Sequence, residues 1–153
     1  MTISITTVNS CREIVEELLA KMDIASEITL RANEEFLYVD IATEHSGLLI
    51  GHHGDTLMSL QTAVGLMLSR RVGERIHVVV DVEHYRERRE EALTNMAKRA
   101  AEEVMLSQKP ITLEPMQPFE RRIVHLVLQG YPGIMTESEG VEPDRRVMIK
   151  PAV

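Results

Sequence analysis

Residues 46–57 read Ser46-Gly47-Leu48-Leu49-Ile50-Gly51-His52-His53-Gly54-Asp55-Thr56-Leu57, and the Gly-x-x-Gly at their centre decides how the first half of the chain folds. Neither glycine carries a Cβ, so the backbone turns sharply there and another chain can approach it closely. A helix starting after Gly54 presents unpaired N–H groups and the positive end of its dipole to an anion. On its own a Gly-x-x-Gly is more often a plain turn, so the flanks decide its meaning. Upstream, Ile14, Val15, Leu18, Leu19 and Met22 recur at helical spacing behind Ser10, which reads as an N-cap. Two extended segments, 27–31 and 36–42, follow; Leu37, Val39 and Ile41 alternate with Phe36, Tyr38 and Asp40, and Asn33-Glu34 turns the chain into a hairpin. Ser46 opens a short helix that ends at Ile50. Beyond the loop, Leu57, Leu60, Val64 and Leu68 form one stripe of a longer helix, which Gly73 ends. The β-branched run 76–82 reads as a covered strand. The predicted order is α-β-β-α-α-β, with the loop between the two middle helices.

The second half opens with a long helix over residues 84–107, carrying Leu93, Met96, Ala97, Ala100 and Val104 on one face and closed by Pro110. A short strand at 111–113, a Pro-x-x-Pro turn at Pro115 and Pro118, and a helix over 119–128 come next. The turn Gln129-Gly130-Tyr131-Pro132-Gly133 leads to strands at 134–138 and 145–150. Arg121 and His125 stand four apart on the 119–128 helix, hence on one face, where they would make a compact donor pair for phosphate oxygens. Such pairs are common on helices and carry little weight alone.

Composition limits what these motifs can do. With 44% hydrophobic and 27% charged residues the chain is a folded globular protein rather than a disordered one. The net charge of −7 opposes nucleic-acid binding until its distribution is considered: residues 1–82 carry twelve acidic against six basic residues, while the rest is nearly balanced. Basic residues group at Arg70, Arg71 and Arg75, at Arg86, Arg88 and Arg89, at Arg121 and Arg122, and at Arg145 and Arg146. The single Cys11 excludes an intrachain disulfide and a cysteine metal site. His45, His52 and His53 lack zinc-like spacing and a fourth ligand, so neither metal nor cofactor is expected. No carboxylate or nucleophile is spaced to orient His125, so no catalysis is expected. A signal peptide and a membrane-spanning stretch of about 20 apolar residues are both missing, which predicts a cytoplasmic protein without membrane insertion. Aromatic content of 3% with no Trp predicts little base stacking, modest sequence specificity and strong salt sensitivity.

With Ile50 before the loop and Leu57 behind it, the first half resembles a KH domain of the second type, whose loop clamps about four nucleotides of single strand. KH loops usually carry Lys or Arg at the two middle positions, where this chain has His52 and His53, followed by Asp55. Phosphate binding by these histidines is expected to strengthen toward lower pH. The runs 85–90, 113–116, 120–125, 136–140 and 143–147 resemble the Jag family, also called KhpB or SpoIIIJ-associated proteins. Their C-terminal R-three-H domain is named for an Arg-x-x-x-His signature. The resemblance implies an α+β chain: a type II KH domain over residues 1–82, then a single-stranded nucleic-acid-binding domain over 83–153, comprising the long helix and a small α/β R-three-H domain. It implies RNA-binding residues Ile50, Gly51, His52, His53 and Gly54 in the loop. In the second domain Arg121 and His125 match the signature, and Arg122, Arg145 and Arg146 are expected on the same surface. Many relatives carry a further N-terminal domain and charged linker, whereas the KH pattern here starts close to Met1. The expected function is binding of single-stranded RNA, with single-stranded DNA as a further ligand. The expected role is that of a bacterial post-transcriptional regulator or RNA chaperone that pairs with a small single-KH protein and acts in cell-envelope growth and division. The competing expectation is a protein-interaction adaptor using the KH-like fold without RNA, which the acidic first domain permits.

Overall fold

The computed structural model describes residues 3–152. Helix α1 (Ile5–Lys21) starts at Ser4, whose extended backbone and Oγ, accepting from the Thr7 N–H at 3.1 Å, satisfy a first-turn donor. The helix therefore begins upstream of Ser10, which lies inside it instead of capping it. Ser4 offers the same capping oxygen, and Thr7 is buried, so packing extends the helix beyond its apolar stripe. Cys11, Ile14, Val15 and Leu19 turn into the core. Burial pushes the Cys11 thiol up to about 11, leaving it an inert filler.

Strands β1 (Glu27–Ala32) and β2 (Phe36–Ala42) form the expected hairpin. Asn33 Oδ1 accepts from the N–H groups of Glu35 and Phe36 at 2.9 and 2.7 Å, a side chain standing in for backbone in the turn. Leu37, Val39 and Ile41 are buried, as the alternation requires. Strand β3 (His77–Val82) lies parallel to β2, giving the order β1-β2-β3. A parallel pair needs a crossover. It is supplied by α2 (Ser46–Ile50), the loop, and α3 (Asp55–Val72), which ends on left-handed Gly73 at φ 80°. Leu49, Leu57, Val64 and Leu68 of these helices pack with Leu37, Val39, Val80 and Val82. Burying each such side chain contributes roughly 1.5–3 kcal/mol over leaving it exposed.

The chain divides into two compact units, one ending at Arg86 and the next starting at Glu87, a boundary inside the first turn of α4 (Tyr85–Ser107). Arg86 belongs with the first unit through its own bonds: Nε donates to the Val80 carbonyl and Nη2 to Gln61 Oε1 at 2.7 Å. In the second unit, α4 buries Leu93, Ala97, Ala100, Ala101 and Val104. Strands β4 (Ile111–Thr112), β5 (Ile134–Glu139) and β6 (Arg146–Pro151) form an antiparallel sheet in the order β4-β6-β5. Helix α5 (Pro118–Leu128) places proline at the start of the helix, where its missing N–H costs nothing, behind a reciprocal capping box of Gln117 and Glu120. Val124 and Leu128 bury against Val147, Ile149 and Ile134. The architecture is α+β, and the expected elements are all present; apart from the earlier start of α1, their ends shift by a residue or so, as at β3, β4 and β6.

Candidate nucleic-acid interfaces

The Gly-x-x-Gly loop is built by steric necessity. Gly51 has φ 71° and ψ −168°, and Gly54 has φ 86°. A Cβ at Gly51 would overlap Thr56 Oγ1, and one at Gly54 would fall 2.9 Å from Tyr85 Cε1. Between them His53 sits at φ 51°, a left-handed backbone uncommon for a residue with a side chain. The His52 and His53 rings stack, with centroids 3.9 Å apart and planes at 23°. His52 is exposed and His53 half-buried, while Ile50 anchors the loop from the core. Gly54 has no side chain to cap α3, so its first-turn amides are left without an N-cap side chain, and Asp55 stands in that first turn.

The signature helix is arranged differently. Arg121 and His125 share a face of α5, as their spacing demands, but it is the face turned toward β5 and the β5–β6 connection. They do not form an outward donor pair. Arg121 is 7% exposed; Nη1 donates to the Met116 carbonyl at 2.8 Å and Nη2 to Glu142 Oε1 at 2.7 Å. His125 Nδ1 meets Thr136 Oγ1 at 2.7 Å and Nε2 meets Ser138 Oγ at 2.8 Å. A neutral imidazole donates from one nitrogen and accepts at the other, and hydroxyls serve either need. Burial, and then the positive charge of Arg121, hold the His125 pKa below its ordinary value. The reason for the inward orientation is that Val124 and Leu128 lie on the same face, and their burial turns the whole stripe inward.

Of the remaining cations named from sequence, Arg122 and Arg145 are exposed and Arg146 is half-buried, its Nε donating to the Asp144 carbonyl. Met116 links this surface to Arg121: its carbonyl accepts from Arg121 and its N–H donates to the Arg145 carbonyl. Other grouped arginines have internal work: Arg71 pairs with Glu13, and Arg89 Nε donates to Glu120 Oε1 at 2.6 Å. Glu120 is fully buried, and its second oxygen accepts the Gln117 N–H. Sequence reasoning passed over this carboxylate, although its position three after Gln117 is a capping-box signal. Among the described residues no group of three metal-ligating side chains converges, and no helix is long and apolar enough to cross a membrane.

The KH domain of KhpA and KhpB matches residues 9–80, and the R-three-H domain matches residues 91–151. The chain is 40% identical over 139 residues to the RNA-binding protein KhpB of Clostridium symbiosum, covering 90% of this chain and 63% of that protein. It is 38% identical over 126 residues to the RNA-binding protein KhpB of Bacillus subtilis, covering 81% of this chain and 61% of the relative. For the RNA-binding protein KhpB of Lactiplantibacillus plantarum the identity is 32% over 141 residues, covering 90% and 44%. The chain thus spans less than two thirds of the length of these relatives.

Proposed function

The chain belongs to the KhpB family, in which a KH domain is followed by an R-three-H domain, and from this we propose that it binds single-stranded RNA without catalysing a reaction. The observation that carries the reading is the loop Gly51–Gly54. Both glycines are required by their neighbours, and the loop opens onto the N-terminus of α3, so backbone amides are available where a sugar-phosphate chain can come close. Single-stranded DNA presents the same phosphate charges and equally stackable bases and is the second ligand of the reading. In the R-three-H unit the exposed Arg122 and Arg145, with Arg146 next to Arg145 in sequence, are the contacting cations of the proposal. Arg121 and His125 act as positioning residues that hold the β5–β6 connection and β5 itself. The proposal extends, through the family, to a cytoplasmic post-transcriptional regulator or RNA chaperone that pairs with a small single-KH protein and serves cell-envelope growth and division.

The test is fluorescence anisotropy of a labelled single-stranded RNA at about 50 mM and about 200 mM salt, the range over which phosphate contacts weaken measurably. The double variant His52→Asp/His53→Asp and the double variant Arg122→Ala/Arg145→Ala are titrated alongside, with folding checked by circular dichroism. Binding that weakens with salt and falls in both variants is the expected result. No binding at low salt by the folded wild-type chain overturns the reading and favours an adaptor whose acidic first unit meets a basic protein partner.

A further inference from the structure

We propose that the stacked His52–His53 pair is a seat for one unpaired nucleobase, so that the loop grips its strand by stacking in place of the cationic phosphate clamp usual in such loops. The inference rests on the RNA-binding reading above and adds the chemical group that the loop takes.

The first support is ring geometry. A centroid distance of 3.9 Å with planes at 23° makes the two imidazoles one near-parallel layer. His53 is half-buried and His52 is exposed, so His52 is the ring of the pair more open to an incoming strand. Flat aromatic faces of this kind, His included, are where splayed single-strand bases stack.

The second is preorganisation. His53 is held at φ 51° between two positive-φ glycines, the first tight against Thr56 and the second against the Tyr85 ring. Non-glycine residues in the left-handed region persist where surrounding packing over-determines them, and they cluster at ligand clamps. The shelf therefore exists before any strand arrives, and little ordering cost is left to the bound state.

The third is charge. From Ala32 to Ser69 there is no lysine or arginine, whereas Glu34, Glu35, Asp40, Glu44 and Asp55 fall within the same stretch. The loop, α2 and α3 as far as Ser69 thus supply no permanent cation for a phosphate, the arginines of α3 standing in its last turn at the far end from the loop, and Asp55 in the first turn of α3 opposes one. Stacking needs no charge and survives this environment. A count restricted to Phe, Tyr and Trp makes the chain look poor in stacking surface because it omits the imidazoles.

The experiment uses the full chain and a short single-stranded RNA carrying 2-aminopurine at one position at a time, with anisotropy and 2-aminopurine emission read in the same titration. Emission should be quenched at one position when wild type binds. His52→Phe should keep both affinity and quenching. His52→Ala should lose the quenching and bind about tenfold more weakly, the lower end of what one base stack is worth. Replacing the seated base by an abasic site should lower wild-type affinity about as much and leave His52→Ala unchanged. The proposal is overturned if wild type binds with no position quenched, or if His52→Phe fails like His52→Ala while His52→Lys binds at least as well as wild type. Absence of any anisotropy change with wild type would instead sink the RNA-binding reading, and this inference with it. His52 is exposed, and circular dichroism of each variant checks that the fold persists.

Discussion

The guanidinium of Arg121 donates to the carboxylate of Glu142 at 2.7 Å, and through that bond α5 holds the connection between β5 and β6. Arg121 also donates to the Met116 carbonyl, whose own N–H reaches the Arg145 carbonyl. Removing the side chain breaks two charge-assisted hydrogen bonds, one of them to a buried acceptor. Arg121→Ala is expected to destabilise the chain by about 2 kcal/mol, on the scale of hydrogen bonds to charged groups. Thermal or urea unfolding measures this. At temperatures where the variant is folded, its RNA affinity should fall less than that of Arg122→Ala/Arg145→Ala; an equal or larger fall would make Arg121 a contact residue.

Glu120 is the larger stability element. It is fully buried, with Arg89 on one oxygen and the Gln117 N–H on the other. Glu120→Ala leaves the largely buried guanidinium of Arg89 uncompensated and opens the cap of α5, a loss of about 3 kcal/mol or more. Glu120→Gln, which keeps the volume and an acceptor, should cost less. Equal unfolding midpoints for Glu120→Ala and wild type in urea would contradict the assignment.

The depressed pKa of His125 gives stability a pH dependence of definite sign. Burial, then the Arg121 charge, favours the neutral ring in the folded state, so below the ordinary histidine value of about 6.5 the unfolded chain binds a proton that the folded chain resists. This contribution is therefore present above that value and is lost as pH falls toward the lower folded pKa. Glu137, held below its ordinary value by the hydrogen bond and charge of Lys150, adds a loss of the same sign at more acidic pH. Unfolding midpoints measured from pH 7.5 to 5 should fall for wild type and fall less for His125→Gln. Parallel curves would contradict the role given to His125.

Alanine at either loop glycine should be costly. Gly51→Ala meets Thr56 and requires a side chain at φ 71°; Gly54→Ala meets the Tyr85 ring at φ 86°. Each is expected to cost roughly 1–3 kcal/mol through the left-handed backbone and the overlap. RNA affinity should fall with it, because the loop must relax. A crystal structure or unfolding curve of Gly51→Ala indistinguishable from wild type would remove the steric argument.

Local pattern carried most of the fold. Leu37, Val39 and Ile41 at every second position, Leu57, Val64 and Leu68 on one helical stripe, and Gly73 and Pro110 at helix ends all declare themselves to neighbours a few residues away. Those local signals were enough for the α-β-β-α-α-β order, the position of the Gly-x-x-Gly loop and the helix bearing Arg121 and His125. It also placed arginines in groups. The tertiary structure alone decided what those groups do: Arg86 and Arg89 hold the fold, Arg121 is buried, and Ser4 rather than Ser10 starts α1. A spacing of four residues says that two side chains share a face, but whether water or protein covers that face depends on Thr136, Ser138 and Glu142, which approach from β5 and beyond. The stacking of His52 on His53 was hidden for the same reason, since it depends on the path of the backbone through the loop, where His53 takes a left-handed φ of 51° between two glycines that leave no room for a Cβ beside Thr56 and Tyr85.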